Sequence, residues 1–146
     1  MNNNELPPIA NLDAEAALLQ KMLLDNDVAQ SVMETLKAKH FYDPRNALIF
    51  DAMTELVAAY KTIDVVRVKD ELRGSKQWGT VGHKYLRGLL ETENCNAPIE
   101  HFLEMVVDKS LIRELIEVST KIVEDAYGPR PRKVVRPITD NEDVQD

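Results

Sequence analysis

Residues 98–128 read PIEHFLEMVVDKSLIRELIEVSTKIVEDAYG, a stretch in which apolar side chains return every three or four positions rather than at every second one. That spacing is helical. Ile99, Phe102, Leu103, Val106 and Val107 make the apolar face of one amphipathic helix opened by Pro98. Leu111, Ile112, Leu115, Ile116, Val118, Ile122, Val123 and Ala126 make the face of a second, stopped by Gly128-Pro129. Only Asp108-Lys109-Ser110 lies between them, which predicts an αα-hairpin over 98–127, with two nearly continuous helices as the alternative. Within the second arm, Leu111, Leu115, Val118 and Ile122 follow a four-three-four seam of coiled-coil type, while Ile112, Ile116 and Val123 run along a second stripe. A hairpin partner covers one stripe; the globular part or another subunit must cover the other. Because a contiguous exposed apolar patch is a solubility hazard, the pattern tilts toward self-association.

The same period runs back toward the N-terminus and makes the chain all-α. A first helix is expected from about Asp13 to Leu24, with Leu12, Ala16, Leu19 and Leu23 on one stripe and Asn11 or Asp13 as its cap, after a segment held extended by Pro7-Pro8. A shorter helix is expected over Val28 to Ala38. Asp43-Pro44 then opens a third, central helix with Leu48, Ile49, Ala52, Met53, Leu56, Val57 and Tyr60 on its apolar face. Asp64 caps a short helix carrying Val65, Val66, Val68 and Leu72; its β-branched cluster is compatible with a strand, but no second strand-like segment exists to pair with it. A loop with Trp78 and a helix with Tyr85, Leu86, Leu89 and Leu90 complete a globular head over 1–97, followed by the protruding hairpin at 98–127 and a disordered, proline-broken linker at 128–146.

The 146 residues hold 18 Lys+Arg against 25 Asp+Glu, a net charge of -7, and 44% hydrophobic residues, which fits one folded domain. The linker's Arg130, Arg132, Lys133 and Arg136 balance Asp140, Glu142, Asp143 and Asp146, so the whole excess of acid belongs to residues 1–127. Duplex affinity comes from Lys and Arg releasing condensed counterions, so direct nucleic-acid binding is not expected. The single cysteine, Cys95, excludes an intrachain disulfide framework and points to a reducing compartment, the cytoplasm by default. No basic n-region precedes an apolar h-region, and no run approaches a membrane span.

Catalytic chemistry is hard to find. The 5 glycines, Gly74, Gly79, Gly82, Gly88 and Gly128, form no phosphate-cradling pattern, so no nucleotide site is expected in this chain. Cys95 and His101 lack a third group to orient the base, and a loop thiol near a helix histidine is most often coincidence. His101, Glu104 and Asp108 share a helix face, but one histidine among solvated carboxylates is a weak metal site. Arg113, Glu117, Lys121 and Asp125 alternate in sign at i,i+4, the pattern of an exposed, ion-paired face. No catalytic, cofactor or metal residue is therefore assigned.

The ordered fragments Leu6-Pro7-Pro8, Leu12-Asp13-Ala14-Glu15-Ala16, Met22-Leu23-Leu24-Asp25-Asn26, Phe41-Tyr42, Ile49-Phe50-Asp51-Ala52-Met53, Ile63-Asp64, Val81-Gly82, Tyr85-Leu86 and Val107-Asp108-Lys109-Ser110-Leu111-Ile112-Arg113-Glu114-Leu115-Ile116 resemble the N-terminal domain of the bacterial replicative DNA helicase DnaB. The likeness covers roughly residues 6–127. It departs from the family where Asn46 replaces a frequent histidine, Thr62 a proline and His83 a second glycine, and where the interval between Pro8 and Leu12 is one residue longer.

The resemblance implies a collar domain that assembles as a trimer of dimers and docks a DnaG-type primase and a helicase loader. Self-association is then expected at Ile112, Leu115, Ile116, Ile122 and Val123, and primase or loader docking at Asp13, Tyr85, Ile116 and Ile122. It also implies a RecA-like ATPase motor beyond the linker, where ATP and Mg belong and where duplex unwinding takes place. A stand-alone helical adaptor of phage or plasmid type, binding a host helicase or primase, is the main alternative. An all-α DNA-binding domain is opposed by the acidic body.

Overall fold

The structure, a computed structural model, describes residues 6–93 and 96–128. Among the described residues it is all-α: α1 (Leu12–Leu24), α2 (Asn26–Met33), a 3-10 turn (Ala38–His40), α3 (Pro44–Ala58), α4 (Val65–Gly74), α5 (Trp78–Glu91) and α6 (Ile99–Tyr127). None of these helices is long and apolar enough to cross a membrane. The chain divides into two compact units, Met1–Arg113 and Glu114–Asp146. The linker at 129–146 and the Asn94-Cys95 pair lie outside the described residues.

Side-chain caps set most helix starts. Asn11 Oδ1 accepts from the Ala14 amide at 3.0 Å, Asp25 Oδ1 from Asp27 and Val28 at 2.9 and 3.3 Å, and Asp64 Oδ1 from Arg67 at 2.8 Å. Each satisfies an amide that the first turn leaves unpaired. Asp43 does the same for Arg45 ahead of Pro44, whose missing N–H costs nothing at that position. The Asp25 cap starts α2 two residues before the expected Val28, and it ends at Met33 rather than Ala38. The β-branched segment at Val65 is helix, as expected. Trp78 opens α5 instead of lying in a loop, and Gly82 (φ 79°, ψ 155°) breaks the helical backbone inside that element.

The core of the first unit gathers Leu18, Leu19 and Met22 of α1, Ile49, Phe50, Met53 and Leu56 of α3, Val68 and Leu72 of α4, Val81, Leu86 and Leu89 of α5, and Phe102 and Val106 of α6. Gln20 of α1 donates through Nε2 to the Leu90 and Thr92 carbonyls at 3.1 and 2.9 Å, closing the end of α5. Asn26 brackets Ile63 through both its amide and carbonyl, at 3.3 and 2.7 Å, and so holds the break before α4. Tyr60 does not join the α3 face: it lies beyond the helix end at φ 60° and is 98% exposed. Its left-handed backbone lets the Lys61 amide reach back to the Leu56 carbonyl at 2.8 Å, the Schellman closure of a helix.

The hairpin preferred over 98–127 gives way to the alternative of continuous helix: α6 runs unbroken from Ile99 to Tyr127. Asp108-Lys109-Ser110 contains no glycine or proline, and keeping these residues helical costs only about 0.5 kcal/mol each relative to alanine. Phe102 and Val106 are buried in the head core, with Ile99, Leu103, Met105 and Val107 packed against it, so the first arm has no apolar face left for a returning helix. For the same reason the compact head ends at Arg113 rather than at residue 97.

Candidate interaction surfaces

In the second unit, every residue from Glu114 to Tyr127 is exposed. Leu115, Ile116 and Ile122 are 65%, 50% and 62% exposed, and Val118, Val123 and Tyr127 stand out with them. At 100° per residue, Ile116 and Val123 fall on one stripe and Leu115, Val118 and Ile122 on its neighbour. Upstream on the same helix, Ile112 and Leu111 are also exposed. All five residues assigned to self-association thus carry exposed side chains on α6.

The alternating charge series does not behave as expected. Among the described residues, Arg113, Glu117, Lys121 and Asp125 make no ion pair with one another. Arg113 instead donates through Nη1 to the Ile9 carbonyl at 2.7 Å and through Nη2 to the His40 carbonyl at 2.9 Å, with its guanidinium 5.4 Å from the Tyr42 ring centroid. It ties the N-terminal segment and the 3-10 turn to α6. Periodicity alone assigns such a residue to solvent, because the carbonyls it serves are 104 and 73 residues away.

A second surface lies on the head and is built around a buried carboxylate. Glu15 of α1 is 1% exposed and accepts from the Tyr42 amide at 2.7 Å, the Asp43 amide at 3.4 Å and Asn46 Nδ2 at 2.8 Å. Asn46 in turn accepts from the Tyr85 hydroxyl through Oδ1. Arg45 lies 3.8 Å from the Tyr85 ring centroid and holds Asp43 through Nε and Nη2 at 3.1 and 2.8 Å. These contacts fix the Tyr85 ring at the edge of a groove of about 600 Å³, lined by Ala16, Arg45, Val81, Lys84, Tyr85, Gly88, Leu89 and Thr92.

The electrostatics follow from the same contacts. Burial pushes the Tyr85 hydroxyl up to about 12, aided by the nearby Asp43 and Glu15 charges, while Arg45 and the Asn46 hydrogen bond oppose the rise. The Arg45 side-chain hydrogen bond holds the Asp43 carboxyl below its ordinary value, against the effect of burial. That pairing raises Arg45 as well.

Of the residues assigned to docking, Asp13 is exposed at the start of α1 and Tyr85 is half-buried at the groove, both in the first unit. Among the described residues no hydrogen bond joins them. Ile116 and Ile122 are exposed in the second unit. Glu15, Asn46, Arg45 and Arg113 carry the local geometry without having been singled out for it. Glu15 was legible in part, since it stands at helical spacing with Leu18 and Met22 on the inward side of α1. Among the described residues no group of three or more His, Cys, Asp or Glu is arranged to hold a metal ion.

Comparison with known proteins places this arrangement. Residues 7–108 match the family described as DnaB-like helicase N terminal domain. The chain is 31% identical over 124 residues to the replicative DNA helicase DnaB of Leifsonia xyli subsp. xyli (strain CTCB07), covering 84% of this chain and 27% of that one. It is 32% identical over 126 residues to the replicative DNA helicase DnaC of Bacillus subtilis (strain 168), covering 86% of this chain and 28% of that one. The match thus spans about a quarter of the length of these curated relatives. In three dimensions the chain is similar to the N-terminal domain of DnaB helicase from Mycobacterium tuberculosis, with a TM-score of 0.78, 29% identity, and coverage of 88% of this chain and 90% of that one. It shares its fold with the N-terminal domain of DnaB helicase from Helicobacter pylori, at a TM-score of 0.71, 23% identity, and coverage of 80% and 91%. A capped helical head, the long helix α6 and a family match over most of the head lead to one conclusion: this chain belongs to the family of DnaB-like helicase N-terminal domains.

Proposed function

We propose that the chain serves as the collar domain of a replicative helicase, associating with copies of itself through α6 and docking a DnaG-type primase and a helicase loader. The observation that carries this reading is the fully exposed segment Glu114–Tyr127 with its two apolar stripes. A helical segment of that length without packing is marginal in water, so most of its stability must come from a surface that covers it. A second α6 offers the same heptad-spaced residues and covers them reciprocally, as in an isologous dimer. Three such dimers make the hexameric ring that the family resemblance implies. The N-terminal domain of DnaB helicase from Helicobacter pylori is described together with its interactions with primase, which supports primase docking here; Asp13, Tyr85, Ile116 and Ile122 are the residues to which this reading assigns it.

Unwinding of duplex DNA belongs, in this reading, to a motor region outside this chain. ATP and Mg fit that region and not this one, because no glycine stands in a phosphate-cradling pattern. The domain acts in the cytoplasm at the replication fork, without membrane contact and without binding nucleic acid itself.

Sedimentation of Ile116→Asp against the parent tests the assembly. A charge in an apolar seam is costly, so the variant sediments at a lower mass while its head unfolds at the parental temperature. Equal masses for the two overturn the placement of the interface. Co-sedimentation with the primase of the same organism tests docking.

A further inference from the structure

Lys76 stands in a left-handed backbone, at φ 65°, where α4 closes into the loop before α5. Its amide reaches the Arg73 carbonyl at 3.0 Å and the Gln77 amide reaches the Leu72 carbonyl at 2.8 Å, the two bonds of a Schellman closure. Glycine fills such a position without strain, whereas any other residue is strained there. The Lys76 side chain is exposed and makes no hydrogen bond or ion pair among the described residues, so nothing within them offsets that strain. What the position presents is a cation.

Two more cations meet at the same corner. Lys69 Nζ and the Arg73 guanidinium lie 5.4 and 5.9 Å from the centroid of the Trp78 ring, which itself packs against the core. Arg67 and Arg87 are tied to Asp64 and Glu91 at 3.0 and 3.3 Å, but Lys69 and Arg73 make no ion pair among the described residues, even with Asp70 and Glu71 next to them on α4. Unneutralised positive charge is thus concentrated on one corner of a chain whose net charge is -7. Val66, 68% exposed, continues the stripe of Lys69 and Arg73 along α4 at helical spacing. The corner is separate from the groove: Trp78 is met by α4, Tyr85 by Arg45 and Asn46 of α3, and the Gly82 break interrupts the helical phase between them.

A cationic edge that ends in an exposed valine fits an acidic segment carrying an apolar side chain. A single strand of nucleic acid is held by bases stacked on free aromatic faces; here Lys69 and Arg73 occupy the indole, and a strand has no aliphatic side chain for Val66. We infer that the corner of Val66, Lys69, Arg73, Lys76 and Trp78 docks an acidic segment of a protein partner, with Asp or Glu side chains on the three cations and an apolar residue on Val66. This site is distinct from α6 and from the groove beside Tyr85, and it does not depend on primase docking.

Trp78 is the one tryptophan of the chain, so its emission reports on this corner. The full chain is titrated with a synthetic peptide of Glu, Ala and Leu whose carboxylates recur at i,i+4 spacing. The expected result is a saturable change in Trp78 emission that weakens as salt is raised, because exposed charge pairs are screened. Anisotropy of the labelled peptide follows the variants. Lys69→Glu combined with Arg73→Glu weakens binding by about tenfold or more, two exposed pairs being replaced by repulsion. Lys76→Gly weakens it about threefold while melting at or above the parental temperature, since glycine relieves the left-handed backbone. Weaker binding in a chain that is no less stable separates a lost contact from a damaged fold. A parent that leaves emission and anisotropy unchanged overturns the inference, as does parent-like binding by both variants. Equal weakening by Lys84→Glu moves the site to the groove and overturns it. Tighter binding of an oligothymidylate, lost with the same substitutions, assigns the corner to nucleic acid and overturns it as well.

Discussion

Inside the head, Glu15 accepts the Asn46 amide at 2.8 Å, and both residues are 1% exposed. The carboxylate also takes the amides of Tyr42 and Asp43, so one charge satisfies three donors where α1 meets the start of α3. A buried charge of this kind is tolerated only when its oxygens are well satisfied.

Glu15→Ala strips those donors of their acceptor and leaves a small void. The expected loss is about 2–4 kcal/mol of unfolding free energy, read from urea denaturation. A variant within about 0.5 kcal/mol of the parent, the range of neutral surface changes, shows that the carboxylate does not organise this junction.

Arg113→Ala removes a charge-assisted donor from the Ile9 and His40 carbonyls. Hydrogen bonds to charged groups contribute about 1.5–3 kcal/mol, and here the loss falls on the N-terminal segment more than on α6. Amide exchange measured by mass spectrometry is expected to accelerate around Ile9 and His40 while the α3 core stays protected. Lysine at 113 restores the charge but not the fork that reaches two carbonyls, so it rescues only in part. Unchanged exchange in both segments counts against the clamp.

Gly82 sits at φ 79°, and a Cβ added there meets no atom within 4 Å. Gly82→Ala places a Cβ on a left-handed backbone and is expected to cost about 1–2 kcal/mol through strain alone, not through a clash. Gly88→Ala, at a helical backbone position, is expected to change stability in the opposite direction. Thermal melts of the two variants side by side check the contrast.

Tyr85 makes stability fall at high pH. Its hydroxyl titrates near 10.0 when unfolded and near 12 when folded, so both states are neutral below that range. Between those values the unfolded chain releases the proton first. The contribution of the neutral hydroxyl is therefore fully present below pH 10.0 and is lost as pH climbs toward about 12. Tyr85→Phe lacks this proton, so its denaturation midpoint should decline less than the parent's across the interval. Asp43 acts at the other end. Held low by Arg45, it contributes stability above its ordinary 3.8 that is lost as pH falls through its folded value.

Helical period, caps and breakers were legible from neighbouring residues, because each acts within a turn or two of chain. Asp43-Pro44 opens α3 and Asp64 caps α4 where the residues themselves indicate, and the apolar stripes from Leu111 to Val123 emerge exposed on one helix. The groove was legible only in part: Tyr85 was assigned to docking through the family resemblance, whereas Lys84 and Gly88 join it only once α1 and α3 frame the groove.

Whether Asp108-Lys109-Ser110 turns or stays helical was not a local question. Both outcomes satisfy the backbone, and the choice goes to whichever surface buries Phe102 and Val106; the head core does so, and α6 runs on. Glu15 and Arg113 make the same point for charge. Spacing assigns ionised side chains to water by default, but a carboxylate goes inside when folding brings three donors to it, and a guanidinium leaves the exposed face when two distant carbonyls come within reach. Short-range spacing chose the helices of this chain. Contacts between residues far apart in sequence chose its charged anchors and the end of its head, because those energies exist only after the helices have packed.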